Sequence, residues 1–228
     1  MFCLTHMKSR TQTYVLDELI DATSAYSAVY KAHPQDSSEL VVAKIAKEDK
    51  NEVFDNEQSL LEKLTHPHII KLHDAGEDWG RRFLILEYGG QSLRKLQDAR
   101  QHPWNNDGTI AFSDVAHLTL QILSALHYIH QQGMVHNDIS LNNIIVQNDT
   151  AKLIDFNHHA GSGLPRERQN DLDNIGLIVY ELITQRCLHD SNILEQQFCH
   201  IFDPMYNRFR LNYSAEELTH LLKRMMTP

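Results

Sequence analysis

The stretch His136-Asn137-Asp138-Ile139-Ser140-Leu141-Asn142-Asn143-Ile144-Ile145-Val146, followed by Leu153-Ile154-Asp155-Phe156-Asn157, decides the fold of this chain. Asp138 and Asn143 lie on one predicted loop, and a strand over 144–146 follows it. The pair Asn148-Asp149 favours a tight turn, so 151–154 is predicted as the return strand. The hairpin then brings Asp155 back beside Asn143. Carboxylate and carboxamide oxygens that converge in this way suit magnesium, which leaves Asp138 to accept a proton.

Composition and charge exclude several classes of protein. The 228 residues are enough for one large domain or two small lobes. The formal net charge of -9 argues against a nucleic-acid partner, which usually meets a basic face. The cysteines Cys3, Cys187 and Cys199 form no disulfide framework or zinc motif, which favours a reducing, cytoplasmic setting. No apolar run is long enough for a membrane span.

Hydrophobic periodicity divides the chain into a β-rich first part and a helical remainder. Strands are predicted over 14–19, 25–32, 40–45, 69–74 and 82–87. Apolar residues at helical spacing, Val53, Leu60, Leu61 and Leu64, predict a helix that ends at Pro67. Gly89-Gly90 is the predicted hinge. Helices are predicted over 92–100, 113–131 and 171–184, with a polar loop at 102–109 and a last helix from the capping box of Ser214 and Glu217.

Several motifs in this order resemble the protein kinase family, from about Tyr14 to Pro228. They are Val41-Val42-Ala43-Lys44, the turn His66-Pro67-His68-Ile69-Ile70, the loop from His136 to Asn143 (the catalytic loop below), Asp155-Phe156, and Asp171-Leu172-Asp173-Asn174-Ile175-Gly176. The resemblance implies an α+β, bilobal protein-kinase-like fold. A β-rich N-lobe is expected over about 12–88 and a mainly helical C-lobe over about 89–228. Kinases usually continue with one more helix, so a C-terminal truncation stays open.

The resemblance also implies a role for each motif residue in binding ATP and Mg²⁺. Asp138 resembles the catalytic base, and Lys44 the phosphate ligand that pairs with Glu57. Asn143 and Asp155 resemble the magnesium ligands. Asp171 resembles the aspartate that anchors the catalytic loop. The nucleotide contacts expected from the resemblance are Ile20, Val29, Ala43, Lys44, Leu86, Glu87, Tyr88, Gly89 and Ile145.

The nucleotide loop departs from the family because it has lost its glycines. Ala22, Ser24 and Ser27 stand at the three glycine positions. Glycine allows positive φ and close approach of backbone N–H groups to phosphate. Small residues preserve part of that approach, and the hydroxyls of Ser24 and Ser27 are candidate donors to phosphate. We expect altered or weaker nucleotide binding, not its loss.

The catalytic loop and the segment after it depart as well. Asn137 replaces the usual arginine, Ser140 replaces a lysine that neutralises the transferred phosphoryl group, and Asn157 replaces the glycine after Asp155-Phe156. Few residues separate Asn157 from Asp171. Control by activation-loop phosphorylation is therefore not expected. Since the short segment removes much of a peptide-docking platform, we expect a protein substrate recognised as a folded surface, or an activating partner that completes the site.

Three functions follow from these residues. The first is a serine/threonine protein kinase, because Lys44, Asp138, Asn143 and Asp155 are all present. The second is a pseudokinase or scaffold that acts by binding, which the glycine-free loop and Ser140 favour. The third is a small-molecule kinase of the aminoglycoside or choline type. Stripped-down kinases of pathogens that act in the host cytosol have a similar architecture, which is an analogy only.

Overall fold

The computed structural model describes residues 5–99, 112–156 and 165–184. The chain divides into two units, one of Met1–Thr65 with Ile70–Tyr88 and one of His66–Ile69 with Gly89–Pro228. The first is mainly sheet and the second mainly helix. The predicted α+β class is confirmed. Across the described ranges, no helix combines the length and the apolar character needed to cross a membrane.

Six antiparallel strands form the sheet of the first unit: β1 (His6–Lys8), β2 (Thr13–Asp21), β3 (Ser27–Pro34), β4 (Val41–Ala46), β5 (Leu72–Asp78) and β6 (Arg81–Glu87). Their spatial order is β1-β2-β3-β4-β6-β5. Five were predicted, and β1 was not. β5 begins at Leu72, later than predicted, because Ile69 instead forms a parallel bridge with Leu153 in the second unit.

One face of this sheet carries the hydrophobic core of the first unit. Val41, Ala43 and Ile45 alternate along β4 and are at most 3% exposed. Alternate residues of a strand share a face. The core cluster consists of Met7, Tyr14, Ala32, Val41, Ala43, Ile45, Phe83 and Ile85.

The unpredicted strand β1 is attached to β5 as well as to β2. The backbone N–H of Lys8 donates to Oδ2 of Asp78 at 2.8 Å. On the neighbouring strand β2, the hydroxyl of Tyr14 donates to Oδ2 of Asp74 on β5 at 3.0 Å. Gly76 on β5 permits this approach, since a Cβ there would lie 3.2 Å from the Cα of Ser9. The hydrogen bond from Lys8 to Asp78 therefore joins β1 to β5, the two strands at opposite ends of the sheet order.

The helix of the first unit, α1 (Asn51–Leu61), buries Phe54, Glu57 and Leu61. It ends at Leu61, so the predicted extension to Pro67 is wrong. The chain turns there because His66 is held in the second unit. The ring of His66 stacks on that of Tyr128 with centroids 5.3 Å apart, and its Nε2 lies 3.2 Å from the hydroxyl of Ser124.

The second unit combines α2 (Leu93–Asp98), α3 (Phe112–Gln131) and α4 (Pro165–Thr184) with β7 (Gln91–Ser92), β8 (Ile144–Gln147) and β9 (Thr150–Leu153). The side chain of Ser92 caps α2 by accepting from the N–H of Lys95. α4 begins at Pro165, earlier than predicted, and proline suits a first helical turn. The predicted loop 102–109 and the helix after Ser214 lie outside the described residues.

The hairpin β8–β9 follows the sequence prediction. Asn148 and Asp149 both have positive φ, 46° and 61°, as a type I′ turn requires. Gln121 on α3 supports the turn: its Nε2 donates to the carbonyl of Asp149 at 2.8 Å and its Oε1 accepts from the N–H of Ala151 at 2.7 Å. The hairpin is thereby fixed to the apolar helix α3.

The substitution Gly76→Ala tests the close packing of β5. The new Cβ would lie 2.7 Å from Cζ of Phe83, a distance that forces a shift. We expect the free energy of unfolding to fall by about 1–3 kcal/mol, the usual cost of overpacking. Urea titration measures it. Shortening the ring with Phe83→Leu should relieve part of the cost, so strictly additive effects in the double variant would contradict the explanation.

Candidate active site

The first unit contains a buried ion pair between Lys44 on β4 and Glu57 on α1. Nζ of Lys44 lies 2.8 and 2.7 Å from the two carboxylate oxygens. Lys44 is 6% exposed and Glu57 is 0% exposed. Nζ also lies 5.7 Å from the ring centroid of Phe54. Because burying one of these charges without the other is costly, each holds its partner in place. α1 thereby fixes the position of the ammonium group.

Strand pairing shows which predicted nucleotide contacts share a face with Lys44. Val29 pairs with Lys44, and Leu86 pairs with Val42, two residues before Lys44. Paired and alternate residues lie on one face of a sheet. Ala43 is 0% exposed and packs in the core on the opposite face. Its assignment as a nucleotide contact is therefore wrong, and Val42 occupies the corresponding position on the face of Lys44.

The remaining predicted nucleotide contacts fall in both units. Ile20 on β2 is 37% exposed. Glu87 ends β6, and Tyr88 is the last residue of the first unit. Gly89 and Ile145 belong to the second unit, where Gly89 is buried and Ile145 on β8 is half-buried.

Asp138 and Asn143 are joined within the catalytic loop. Nδ2 of Asn143 donates to Oδ2 of Asp138 at 2.7 Å and to its carbonyl oxygen at 2.9 Å. The N–H of Asn143 also donates to the carbonyl of Ser140 at 3.0 Å. Asn143 is 8% exposed, whereas Asp138 is half-buried. The amide thus orients the carboxylate of Asp138 through one of its two oxygens.

Asp155 follows the hairpin at the same end of β8 as Asn143. The N–H of Ile154 donates to the carbonyl of Asn143 at 3.0 Å, which places the residue before Asp155 beside that asparagine. Asp155 is half-buried and has a φ of 66°. Aspartate is one of the few non-glycine residues enriched in this backbone region. The tight turn therefore suits the side chain that stands there.

The donor set fits a magnesium ion that is bound together with phosphate. With Nδ2 of Asn143 donating to Asp138, its Oδ1 is the remaining acceptor of the amide. Magnesium prefers oxygen ligands and is usually held by one or two protein groups plus phosphates and water. Among the described residues, no group of three or more His, Cys, Asp or Glu is arranged to hold a metal ion alone. Asn143 and Asp155 would hold the ion only with oxygens from the nucleotide.

The carboxylate of Asp171 on α4 organises the catalytic loop from the interior. Its Oδ2 accepts from the N–H of His136 at 2.9 Å, and its Oδ1 accepts from the N–H of Asn137 at 2.8 Å. His130 on α3 contacts Oδ2 through Nε2 at 2.8 Å, and Asp171 is 0% exposed. Asn137 has a φ of 61°, which asparagine tolerates better than most residues. The sequence reasoning missed His130, although a polar residue at a buried position of an apolar helix indicates a buried partner.

His136 is a fully buried neutral histidine that lies against the turn of Ile154 and Asp155. Its Nε2 lies 3.0 Å from the carbonyl of Ile154, which requires Nε2 to carry the proton and donate. Its Nδ1 is buried without a hydrogen-bond partner. Its ring packs against that of Phe156 with centroids 4.9 Å apart. Burial lowers the pKa of His136, although the carboxylates of Asp171, Asp138 and Asp155 oppose the shift.

The nucleotide loop adopts a conformation that needs no glycine. None of residues 22–27 has a positive φ. Ser27 is 3% exposed and pairs with Ala46 as the first residue of β3, so its hydroxyl is not an exposed donor for phosphate. The oxygen of Ser24 already accepts from the N–H of Tyr26 at 3.2 Å. A side chain of the loop therefore accepts a hydrogen bond from one of the loop's own backbone N–H groups.

Comparison with known proteins gives one family. The protein kinase domain family matches residues 23–170. A probable serine/threonine-protein kinase of Clostridium acetobutylicum is 27% identical over 211 residues, which cover 78% of this chain and 31% of the relative. NUAK family SNF1-like kinase 2 of Rattus norvegicus is 34% identical over 142 residues, which cover 58% of this chain and 21% of the relative.

A third relative is calcium/calmodulin-dependent protein kinase type 1 of Macrobrachium nipponense. It is 32% identical over 139 residues, which cover 58% of this chain and 38% of the relative. The chain thus spans less than half the length of each of these relatives.

The substitution Asp171→Asn tests the anchoring carboxylate. An amide in its place turns one acceptor into a donor that faces the N–H groups of His136 and Asn137. We expect the free energy of unfolding to fall by about 2–4 kcal/mol, since buried donors are left unpaired. Chemical denaturation measures the change. Asp173→Asn on the same helix, where the carboxylate accepts from Gln169, is the matched control and should cost less than 1 kcal/mol, roughly the worth of an exposed pair.

Stability should fall in mild acid because of three histidines, of which His136 is buried and His66 and His68 are half-buried. Burial lowers the pKa of His66, His68 and His136 in the folded protein. The unfolded chain then binds more protons below the ordinary histidine pKa of about 6.5. The histidine contribution is complete above that pH and is lost as the pH falls, by at most about 1.4 kcal/mol per pH unit for each histidine.

Urea titrations at pH 7.5, 6.5 and 5.5 measure this slope. The double variant His66→Gln, His68→Gln lacks two of the titrating groups and should show a shallower loss between pH 6.5 and 5.5 than the wild type. A wild-type free energy of unfolding that stays constant over this range would contradict the assignment.

Proposed function

The chain belongs to the protein kinase family, and from that premise we propose that it transfers the γ-phosphoryl group of ATP to a serine or threonine hydroxyl of a protein substrate. The observation that carries the proposal is the buried pair of Lys44 and Glu57, with nitrogen–oxygen distances of 2.7 and 2.8 Å. A buried ammonium whose position is fixed by a carboxylate can also bind other oxygen anions. Phosphate oxygens of ATP are that anion in this proposal.

Each side chain has one task in the transfer. Lys44 binds the α- and β-phosphates, and Glu57 keeps its ammonium in place. Asp138 orients the substrate hydroxyl and accepts its proton as the oxygen attacks the γ-phosphorus, while the bond from that phosphorus to the β–γ bridging oxygen breaks and ADP leaves. Because Asn143 donates to Oδ2 of Asp138, Oδ1 is the oxygen left to face the hydroxyl.

Magnesium, when bound by Asn143 and Asp155, neutralises charge that develops on the phosphates. The remaining residues position the loop itself. Asp171 receives the N–H groups of His136 and Asn137, so the backbone ahead of Asp138 is fixed before substrate arrives. Preorganisation of this kind removes reorganisation from the chemical step.

The short segment after Asp155 shapes the proposal for substrate and control. α4 already begins at Pro165, which leaves only residues 157–164 between Phe156 and this helix. We infer that the enzyme works without activation-loop phosphorylation and recognises a folded protein surface, or a site completed by an activating partner. A cytoplasmic setting is part of the same proposal. Equal phosphorylation of short unstructured peptides and folded proteins would contradict the substrate inference.

A pseudokinase or scaffold is the second candidate, and the nucleotide loop favours it. The N–H of Thr23 donates to Asp21 at 2.8 Å, and the N–H of Tyr26 donates to Ser24 at 3.2 Å. Those two donors are therefore engaged within the loop instead of being free for phosphate. The small-molecule alternative has no comparable support, since two of the relatives named above are protein kinases by name.

A transfer assay with radiolabelled ATP, magnesium and folded protein substrates decides between these functions. Asp138→Ala should lower kcat by about 10²–10⁴-fold, as loss of a general base does. Lys44→Met and Asp155→Ala should abolish detectable transfer. Ser59→Ala, on the exposed side of α1, is the control and should keep full activity. Wild-type transfer no faster than that of Asp138→Ala, together with measurable ATP binding, would favour the scaffold.

A further inference from the structure

A lysine outside the motifs is bound to the glycine-free nucleotide loop. Lys47 directly follows β4, three positions after Lys44. Its Nζ donates to the carbonyl oxygens of Ala22 and Ser24 at 2.8 and 2.5 Å. Its backbone N–H donates to the carbonyl of Tyr26 at 2.9 Å. One residue thus contacts the loop at alternate positions along its whole length.

The other side of the same loop is fixed by its own side chains. Oδ1 of Asp21 accepts from the N–H of Thr23 at 2.8 Å and from its hydroxyl at 2.7 Å. Burial raises the pKa of Asp21, but the hydrogen bonds from Thr23 and Ala22 and the charge of Lys47 outweigh it, so the pKa lies below its ordinary value. Asp21 is therefore charged at neutral pH. The loop has an anion at its start and an ammonium across its carbonyls.

These contacts order the loop before a ligand binds, which glycine residues do not do. A glycine-rich loop reaches phosphate because its backbone is unrestricted, and it must be ordered when the ligand binds. In residues 22–26 no positive φ occurs, so the chain keeps ordinary backbone angles. A charged donor shared by two carbonyls is stronger than a neutral hydrogen bond. Ordering of the loop before binding lowers the entropic cost of binding.

We propose that Lys47 is a positioning residue that holds the glycine-free loop in its phosphate-binding conformation through the carbonyls of Ala22 and Ser24. The proposal rests on the proposed function, because it assigns this loop to the phosphates of ATP. Lys47 uses two of its three donors on the carbonyls. It acts through the loop and is not itself a catalytic residue.

The variant Lys47→Met keeps the length of the side chain and removes the donors. Hydrogen exchange of the amides in residues 21–27, measured on the full chain without nucleotide, should become faster. The Kd for MgATP should rise by about tenfold, the equivalent of about 1.4 kcal/mol. The Kd for adenosine, which has no phosphates, should stay within about twofold of the wild-type value, a difference of about 0.4 kcal/mol.

Two further variants make the result specific. Lys47→Arg retains donors for both carbonyls and should recover most of the MgATP affinity. Lys31→Met removes another ammonium from the same sheet, one paired with Glu18 at 2.6 Å, and should change neither measurement. Parallel loss of affinity in Lys31→Met would assign the effect to net charge and overturn the proposal.

The outcomes separate this inference from the function on which it rests. Unchanged amide exchange in Lys47→Met would mean that Lys47 does not hold the loop, and it overturns the proposal whatever the nucleotide data show. Faster exchange with equal weakening of MgATP and adenosine overturns the positioning role and leaves a structural contact. The wild type could bind no MgATP while amide exchange in the loop is still faster in Lys47→Met. That result overturns the proposed function and the positioning role, and only the structural contact between Lys47 and the loop stands.

Discussion

The carboxylate of Asp171 is the constraint on which the second unit depends. It is 0% exposed and receives two backbone N–H groups and a histidine. A buried charge is tolerated only when several donors satisfy it, so α3, α4 and the catalytic loop must come together at this one group. The positive φ of Asn137 follows from that requirement, since its N–H has to reach the carboxylate. The buried carboxylate on α4 thus determines the backbone conformation of the loop that carries Asp138.

Local signals in the sequence were enough for the parts of the fold that are locally determined. The Asn148-Asp149 turn and the strands β8 and β9 were predicted because asparagine and aspartate favour the backbone angles of a type I′ turn. The end of α3 at Gln131 was also predicted, and Gly133 two residues later has a φ of 74°, the left-handed conformation that commonly follows a helix. The bounds of α1, β5 and α4 were not. α1 ends early because His66 is held by Tyr128, a contact between residues far apart in the chain.

The same distinction holds for the candidate site. Lys44, Glu57, Asp138 and Asn143 were proposed from motif spacing, and the structure brings them together as two pairs, each within its own unit. The error at Ala43 was avoidable, because the period of two along β4 separates it from the face of Lys44. His130 and Lys47 were missed for a different reason. Their partners lie 41 and 25 residues away, so a local pattern can indicate that buried His130 has a partner but cannot identify that partner.

Under the proposed function, the glycine-free loop must meet the physical requirement behind the family's glycine motif by other means. Phosphate binding needs a loop that is both close to the ligand and ordered at the moment of binding. Glycine residues let the backbone approach phosphate closely, but they leave the conformation of the loop unrestricted. Asp21, Lys47 and Ser24 supply order through hydrogen bonds that exist before any ligand arrives. Because those bonds engage two backbone N–H groups, they also reduce the donors available to phosphate. Under the proposed function, the charge of Lys44, fixed by Glu57, must therefore carry a larger share of nucleotide affinity than it does where a glycine-rich loop contributes its own N–H groups.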